Sequence, residues 1–238
     1  MKGASVMIPD MNSLILYEDA QIIVCHKPAG LAVQSARIGS QDLESLLKNH
    51  ISETLGTSGH SGHSPGRRQS PVPYLAVIHR LDQPVEGLLV FAKTPKAAKE
   101  LNRQLTTSGF GKHYFARVAG CPKQEEGSLE NYMVKDSRTN TSRICQKDTP
   151  GAKLARLTYK VIKADEKDSL IEITLDTGRH HQIRVQMAHI GCPLIGDRKY
   201  GGKESTGPLR LCAYKLEFRH PADGREMIFQ LPVVSTAI

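Results

Sequence analysis

Residues 77–93, VIHRLDQPVEGLLVFAK, decide the fold, because this stretch places a short polar cluster between two apolar, strand-like runs. Arg80 and Asp82 lie two positions apart in the cluster, and alternate residues of an extended segment share a face. A carboxylate held beside cations at the end of a strand is a candidate nucleophile or general base. A loop ion pair between Arg80 and Asp82 explains the same pattern without any chemistry.

Outward from this stretch, apolar runs bounded by turn residues predict a chain richer in strands than in helices. Short turns join several strands, which favours antiparallel pairing over a doubly wound parallel sheet. We therefore predict an α+β fold with a mixed, mainly antiparallel β-sheet flanked by helices. The strand-like runs are LILY and QIIVCH within residues 14–26, YLAVIH (74–79), GLLVFAK (87–93), KHYFARVAG (112–120), LTYKVI (157–162), LIEITLD (170–176), LRLCAYKLEF (209–218) and EMIFQL (226–231).

Three other segments carry apolar residues at helical spacing. The first covers residues 40–55 and has Ser40 as a suitable N-cap. The second begins at Pro95, which suits the first helical position, and ends at Gly109. The third covers residues 180–190.

The 238-residue chain has a formal charge of 32 − 24 = +8 and 39% hydrophobic residues, so it can bury a core and is not a disordered protein. The excess positive charge lies in two blocks: residues 75–117 hold seven bases and three acids, and residues 178–225 hold nine bases and four acids. Clustered Lys and Arg favour binding to nucleic-acid phosphates, although a solvated basic surface has the same composition.

The cysteines and the apolar runs indicate a cytoplasmic protein. The five cysteines are far apart and form no C-x-x-C pair, as expected of free thiols in a reducing compartment. The first residues, MKGASVMIPDMNS, lack the apolar centre of a secretory signal. No apolar run reaches the roughly 18 residues that a membrane-spanning helix needs.

A second polar cluster lies in LDTGRHHQIRVQMAHIGCPLIGDRKYG, residues 175–201, where a strand passes into a helix. Unpaired N–H groups at a helix start favour anions, and two arginines there suggest recognition of a phosphate or a carboxylate. An exposed polar helix start is the simpler alternative. The cluster consists of Arg179, His180, His181, Gln182 and Arg184.

Metal and cofactor motifs are absent from the sequence. His180, His181, His189 and Cys192 could bind zinc, but no pair of them has a spacing typical of a zinc site. The chain also lacks a phosphate-binding loop, a strand-linked G-x-G-x-x-G and a G-x-S-x-G motif. We therefore expect no metal and no cofactor.

The chain resembles the RluA-type RNA pseudouridine synthases in several segments that occur in the family's order. HRLDQPVEGLLVFAK is similar to the family's catalytic segment, in which H-R-L-D precedes a turn, Gly-Leu-Leu and Phe-Ala-Lys. GRHHQIRVQMAHIGCPLIGDRKYG is similar to its second signature, G-R-T-H-Q-I-R-V-H followed by G-D-x-x-Y-G. KHYFARVAG and the opening and closing strand pairs extend the resemblance over roughly residues 14–232.

The resemblance implies an enzyme that isomerises uridine to pseudouridine in structured RNA, either rRNA or tRNA, after flipping the base. Asp82 would be the catalytic aspartate, acting at the ribose C1′ or on the uracil ring. Tyr114 would stack on the uracil and help remove its C5 proton, and Arg184 would keep Asp82 ionised and oriented. Arg80 would occupy the space left by the flipped nucleotide, and Leu211 would line the base pocket. Further substrate-binding candidates are His79, Arg179, His181 and Gln182.

The chain departs from the family pattern in three places. Residues 83–86, QPVE, stand where the common form has Thr-Ser before Gly87. His180 replaces a Thr, and Gln186 and Cys192 each replace a His. These departures bear on the substrate rather than on the reaction, because they spare the residues to which the resemblance assigns catalysis.

We expect one catalytic domain over residues 1–238 and no separate N-terminal RNA-binding module, because the first strand begins near Leu14. Residues 56–73, GTSGHSGHSPGRRQSPVP, have the composition of a mobile surface loop inserted into this domain. Arg67 and Arg68 of this loop could help RNA to dock, or the insertion could have no role. We expect the protein to bind RNA, not to associate with a membrane, and to be a monomer.

Two other functions remain open from the sequence. A former synthase could bind RNA without acting on it, although such a protein has no need of a carboxylate near phosphates. A glycoside hydrolase could combine Asp82 with Asp176 or Glu86, but that chemistry requires two carboxyl groups at a defined separation. A basic chain with 5% aromatic residues and no Trp is also a poor sugar binder.

Overall fold

The computed structural model describes residues 10–35, 41–57, 72–107, 109–202 and 205–232. Within these ranges, eleven strands form one sheet and four α-helices accompany it. The helices are α1 (Met11–Leu14), α2 (Leu43–Thr57), α3 (Pro95–Thr106) and α4 (Gln182–His189). The strands are β1 (Ile15–Glu18), β2 (Ile22–Lys27), β3 (Ala76–Val77), β4 (Glu86–Ala92), β5 (Gly111–Ala119), β6 (Glu126–Asp136), β7 (Thr141–Cys145), β8 (Lys153–Ala164), β9 (Asp168–Leu175), β10 (Leu211–Arg219) and β11 (Glu226–Gln230).

The sheet is mixed. Its strands follow the order β1-β2-β4-β10-β5-β9-β8-β6-β7, with β11 paired to β10 and β3 paired to β4. Of these pairs, β4 with β10 is parallel and the others are antiparallel. The predicted α+β fold, with a mainly antiparallel sheet flanked by helices, is confirmed.

Buried side chains lie on both faces of the sheet. α2 and α4 cover one face, where Leu47 and Met187 belong to the same buried cluster as Phe91 of β4. α3 covers the other face, where Leu101 belongs to the same cluster as Val90. Because successive side chains of a strand point to opposite faces, β4 is buried on both sides, and this explains its uninterrupted apolar sequence.

α3 begins as predicted. Thr94 Oγ1 accepts a hydrogen bond from the N–H of Ala97 at 3.1 Å, and Pro95 takes the first helical position, where no backbone N–H is needed. The helix ends at Thr106, a few residues before the predicted stop at Gly109.

α2 begins at Leu43, after a carboxylate rather than after the predicted hydroxyl. The side chain of Asp42 accepts a hydrogen bond from the N–H of Ser45 at 2.8 Å, whereas Ser40 lies outside the described residues. The helix continues to Thr57, so the first two residues of the predicted loop are helical. The body of that loop, 58–71, lies outside the described residues, and its role stays a prediction.

The hairpin of β6 and β7 is the part of the sheet for which the sequence predicts no strand. It forms one edge of the sheet, and Met133 and Ser142 are its buried residues. An edge hairpin that buries so few side chains shows neither an apolar run nor a clear apolar alternation.

The structure contains no disulfide bond among its five cysteines. All five cysteines are free, and burial raises the pKa of the thiols of Cys25, Cys192 and Cys212, so these three act as packing groups. In the part of the chain that the structure describes, no helix combines the length and the apolar character needed to cross a bilayer.

Gly87 permits the close parallel contact between β4 and β10. Its φ is +142°, and a Cβ at this position would lie 2.5 Å from both the Cβ and the carbonyl O of Ala213. We expect Gly87→Ala to lower the free energy of unfolding by about 3 kcal/mol, because the two strands must separate. Gly56→Ala is the control, since nothing lies within 4 Å of its Cβ position in α2, and it should be neutral or slightly stabilising. Urea unfolding measures both, and equal midpoints would contradict the prediction.

Candidate active site

The nine residues predicted for the site line one cleft of about 630 Å³. They come from the segment before β4, from β5, from the turn and first residues of α4, and from the start of β10. The cleft therefore lies beside the parallel pair of strands, where distant parts of the chain meet. The nine residues are His79, Arg80, Asp82, Tyr114, Arg179, His181, Gln182, Arg184 and Leu211.

The turn that carries Asp82 is fixed by backbone hydrogen bonds. The carbonyl O of Asp82 accepts from the N–H of Val85 at 3.0 Å. The carbonyl O of Gln83 accepts from the N–H of Gly30 at 2.9 Å, and Gln83 Nε2 donates to the carbonyl O of Gly30 at 2.9 Å. This reciprocal pair ties the turn to the segment after β2.

Lys27 supports the same turn from beneath. Its fully buried ammonium donates to the carbonyl O atoms of Pro28, Leu31 and Gln83 at 3.0, 2.8 and 3.1 Å. Burial lowers the pKa of Lys27 to about 8, and the negative charge of Asp82 opposes this shift. Lys27 therefore holds the backbone of the turn and places a cation near Asp82.

Arg184 lies between two carboxylates. Its Nη1 donates to Asp82 Oδ2 at 3.2 Å, and its Nε and Nη2 donate to the two oxygens of Asp197 at 2.7 and 2.8 Å. The side chain of Asp197 is 0% exposed, whereas that of Asp82 is 27% exposed. The two-pronged pair with Asp197 thus anchors the guanidinium, which leaves Nη1 to orient Asp82 in the cleft.

The backbone after α4 holds Asp197. Its Oδ1 accepts from the N–H groups of Lys199 and Tyr200 at 2.9 and 3.2 Å. Burial by itself would raise the pKa of Asp197, but Arg184 and these N–H groups outweigh it and lower the pKa. Burial also opposes the charge of Arg184, and the hydrogen bonds to Asp197 and Asp82 raise its pKa. Both partners remain charged at neutral pH.

His181 makes a second contact to Asp82. Its Nε2 lies 3.4 Å from Asp82 Oδ2, and its Nδ1 lies 2.8 Å from the phenol oxygen of Tyr200. That oxygen accepts the N–H of Ser142 at 2.8 Å, so the phenol can donate its proton to Nδ1. Burial lowers the pKa of His181 to about 4 against the opposing influence of Asp82, so the ring is neutral. A phenol that donates to Nδ1 leaves the ring proton on Nε2, facing Asp82.

The backbone of His181 is in the left-handed region, with φ 56° and ψ 25°, which is uncommon for a residue with a side chain. His180 stacks on the His181 ring at 3.7 Å, and its Nδ1 lies 2.8 Å from Ser142 Oγ. Ser142 belongs to β7, so the edge hairpin supports this strained entry to α4. His180, one of the departures from the family pattern, therefore braces His181.

We expect Tyr200→Phe to lower kcat about tenfold while KM changes little, because the proton position on His181 is no longer fixed. Phe keeps the ring over which the Arg184 guanidinium lies at 5.2 Å. The control is Tyr17→Phe, which also removes a hydrogen-bonded phenol but at the edge strand β1. Steady-state kinetics and the ¹⁵N shifts of His181 measure the effect. A Tyr200→Phe enzyme with wild-type kcat and an unchanged tautomer would contradict this role.

Tyr114 and Leu211 form a buried wall of the cleft, each 6% exposed. Burial, reinforced by the negative charge of Asp82, raises the pKa of Tyr114. The phenol therefore keeps its proton at neutral pH. A ring and an aliphatic side chain next to a carboxylate make a surface suited to a flat polar molecule.

Gln182 and Arg179 shape the turn before α4. Gln182 Oε1 accepts from Thr177 Oγ1 at 2.7 Å and from the N–H of Arg179 at 3.0 Å. Arg179 Nε donates to the carbonyl O of Leu154 at 2.7 Å, although the residue is exposed. Both residues line the cleft, and their roles in substrate binding stay predictions.

His79 and Arg80 differ in their surroundings. Burial, with a contribution from Lys112, lowers the pKa of His79 to about 3, so its ring is neutral. His79 Nε2 accepts from the N–H of Val90 at 3.4 Å, and its ring packs edge-on against Phe110. Arg80 is exposed on the cleft, and the ion pairs of Asp82 are made with other residues. The loop ion pair considered from the sequence does not form.

Sequence reasoning gave no role to Lys27, Asp197 or Tyr200. A signal existed for each of them. Lys27 ends the apolar strand IIVCHK, where a lysine must find partners for its charge, and the other two belong to the G-D-x-x-Y-G segment.

Gln186, another departure from the family pattern, lies outside the cleft. It is fully buried, and its Nε2 donates to Asn131 Oδ1 of β6 at 2.8 Å. Gln186 therefore fastens α4 to the edge of the sheet. In the described ranges, no three His, Cys, Asp or Glu side chains come together as a possible metal site.

The family model for RNA pseudouridylate synthase matches residues 21–189, a stretch that includes Asp82, Tyr114 and Arg184. This chain belongs to the RNA pseudouridylate synthase family. It is an isomerase that converts uridine to pseudouridine in RNA. A glycoside hydrolase does not fit this membership.

Two relatives of this pseudouridine synthase match most of the chain, and the second is named RluA. An RNA pseudouridine synthase of Aquifex aeolicus is 34% identical over 91% of this chain and 68% of its own length. The dual-specificity RNA pseudouridine synthase RluA of Salmonella typhimurium is 32% identical over 92% of each chain. The predicted RluA-type family is confirmed.

A solved structure supports the fold. The human protein RNA pseudouridylate synthase domain containing 4 superposes with a TM-score of 0.71 over 93% of this chain and 88% of its own chain. Its sequence is 22% identical, so the likeness concerns the fold of the synthase and not its substrate.

Proposed function

We propose that the cleft receives one uridine that has been flipped out of a structured rRNA or tRNA, and that Asp82 is the catalytic carboxylate. The pairing of Asp82 with Arg184, 102 residues away in sequence, is the observation that supports this most strongly. A half-buried carboxylate that is already oriented by a guanidinium and by a neutral histidine needs little further desolvation or reorientation before it reacts with a substrate.

The reaction needs no redox partner. The bond between N1 of uracil and C1′ of ribose breaks, the base turns, and a bond forms between C5 and C1′. The proton on C5 leaves and a proton is gained at N1, so the product has the formula of the substrate. Asp82 would act at C1′ or on the uracil ring while the detached base is held in the cleft.

Tyr114 would stack on the uracil, and Leu211 would pack against it. Because the raised pKa keeps the Tyr114 phenol protonated, ionised Tyr114 is scarce near neutral pH. Stacking is therefore a larger part of its expected role than removal of the C5 proton. Arg80, exposed on the cleft, would fill the gap that the flipped nucleotide leaves.

Phosphate contacts would offset the cost of flipping. Unstacking and unpairing a base costs a few kcal/mol, and the two basic blocks of the sequence contribute residues to the cleft that can bind phosphates. His79, Arg179, His181 and Gln182 would contact the substrate or orient groups that do. We propose that the enzyme acts as a monomer in the cytoplasm and as a single catalytic domain.

Release of tritium from RNA that is labelled at C5 of uridine tests the activity directly, since C5 loses its proton only when the new bond forms. We expect the purified chain to release tritium from rRNA or tRNA transcripts, and cells lacking the protein to lose pseudouridine at discrete positions. Unchanged pseudouridine maps for both RNA classes, together with no tritium release, would refute the proposed substrates.

A further inference from the structure

Lys112 is a buried lysine on the wall of the cleft. It belongs to β5, is 6% exposed and lines the cleft together with Tyr114, two positions further along the strand. Residues two apart in a strand point to the same face, so both side chains face the substrate space.

The ammonium of Lys112 has no internal partner in the described residues. Neither a hydrogen bond nor an ion pair joins it to any of them, whereas the other buried lysine, Lys27, donates to three carbonyl O atoms. Because the side chain is 6% exposed and lines the cleft, its ammonium finds hydrogen-bond partners in the cleft, from solvent or from a ligand.

Charges of both signs lie near Lys112. Burial lowers its pKa, the negative charge of Asp176 opposes this shift, and the positive charge of Arg179 adds to it to a smaller extent. Arg179 is tethered through Nε to a carbonyl, and its terminal nitrogens make no hydrogen bond to the described residues, so they can meet a ligand. The Lys112 ammonium also lies 3.6 Å from the Cβ position of Gly178, so it is in contact distance of the turn that carries Arg179.

The position of Lys112 indicates which anion it would bind, the uracil ring during the reaction or a phosphate of the RNA strand. The Lys112 ammonium lies beside the turn before α4, 3.6 Å from the Cβ position of Gly178, whereas Asp82 contacts His181 and Arg184. Lys112 is therefore placed to one side of the Asp82 carboxylate. A uracil that becomes negative during the reaction would lie near Asp82, and a phosphate of the flanking strand would lie further away.

We propose that Lys112, together with Arg179, binds a phosphodiester of the RNA next to the flipped uridine. The inference rests on the proposed function, because it takes the cleft to hold a nucleotide. Lys112 would fix how far the strand enters the cleft, so that the uracil stacks on Tyr114 with its ribose beside Asp82.

Binding of uridine 3′,5′-bisphosphate and of uridine to Lys112→Met tests this site, with Lys96→Met of exposed α3 as a control that removes the same charge. We expect Lys112→Met to bind the bisphosphate about 10- to 100-fold more weakly, with uridine affinity within about twofold and Lys96→Met like the wild type. For an RNA transcript, the slope of log K against log salt should fall by about 0.7. Inorganic phosphate is the third probe, and it should compete with the bisphosphate in the wild type but not in Lys112→Met.

Thermal unfolding separates this role from a structural one. Lys112→Met should melt at or above the wild-type temperature, because it removes an unpartnered buried charge, and Lys112→Arg should keep part of the bisphosphate affinity. The proposal fails if Lys112→Met lowers the melting temperature without weakening bisphosphate binding, or if the wild type binds the bisphosphate no better than uridine. Because binding and thermal unfolding need no turnover, they remain informative even if the tritium-release assay gives no activity.

Discussion

Asp82→Asn should lower kcat for pseudouridine formation by about 10⁴-fold or more, while RNA binding stays within a few-fold. Asn has nearly the same shape but carries no charge, so it can neither attack C1′ nor accept a proton as a carboxylate does. The fold should survive the change, because Arg184 keeps its two-pronged pair with Asp197.

The matched control for Asp82→Asn is Asp176→Asn, a carboxyl group lost from the lining of the same cleft. We expect Asp176→Asn to keep kcat within about tenfold of the wild type, since this residue does not pair with Arg184 or His181. Tritium release measures kcat and filter binding measures RNA affinity. Equal losses in the two variants would show that charge in the cleft, and not Asp82 itself, supports the reaction.

Arg184→Met should lower the free energy of unfolding by about 3–5 kcal/mol and abolish turnover as well. The variant leaves the fully buried carboxylate of Asp197 with two backbone N–H groups but no counter-charge, and it leaves Asp82 without the group that orients it. Arg184→Lys should recover part of the stability, because a lysine supplies the charge but not the fork that reaches both carboxylates.

A double variant separates the two consequences of losing Arg184. Arg184→Met combined with Asp197→Asn removes both buried charges, so its unfolding free energy should lie above that of Arg184→Met alone. It should remain inactive, because nothing restores the orientation of Asp82. Urea unfolding and tritium release give the two readouts. If the double variant is less stable than the single one, Asp197 does more than balance the charge of Arg184.

Local sequence rules predict the parts of the fold that local contacts determine. The buried run of β4 and the Thr94-Pro95 start of α3 follow from strand burial and from helix capping. The β6 and β7 hairpin does not, because its strands are stabilised by pairing along one edge and bury few side chains. Its contribution to the site through Ser142 could not be read from its composition.

The residues of the candidate site could be predicted from the sequence, but the hydrogen bonds and ion pairs that join them could not. Family resemblance links Asp82 with Arg184, yet local patterns alone cannot bring together two side chains 102 residues apart. The roles of Asp197 and Tyr200 depend on distances of 2.7 to 2.8 Å that only the folded chain defines. Lys112 illustrates the same limit, since a lysine in an alternating strand reads as exposed until its burial is known.

The parallel contact between β4 and β10 sets when the enzyme can first become competent during its synthesis. β10 separates β4 from β5 in the sheet, so the strand beside Asp82 and the strand bearing Tyr114 have no common neighbour until residues 211–219 have left the ribosome. A nascent chain that ends before this point carries Asp82, Tyr114 and Arg184 but lacks the strand that lies between β4 and β5 in the sheet.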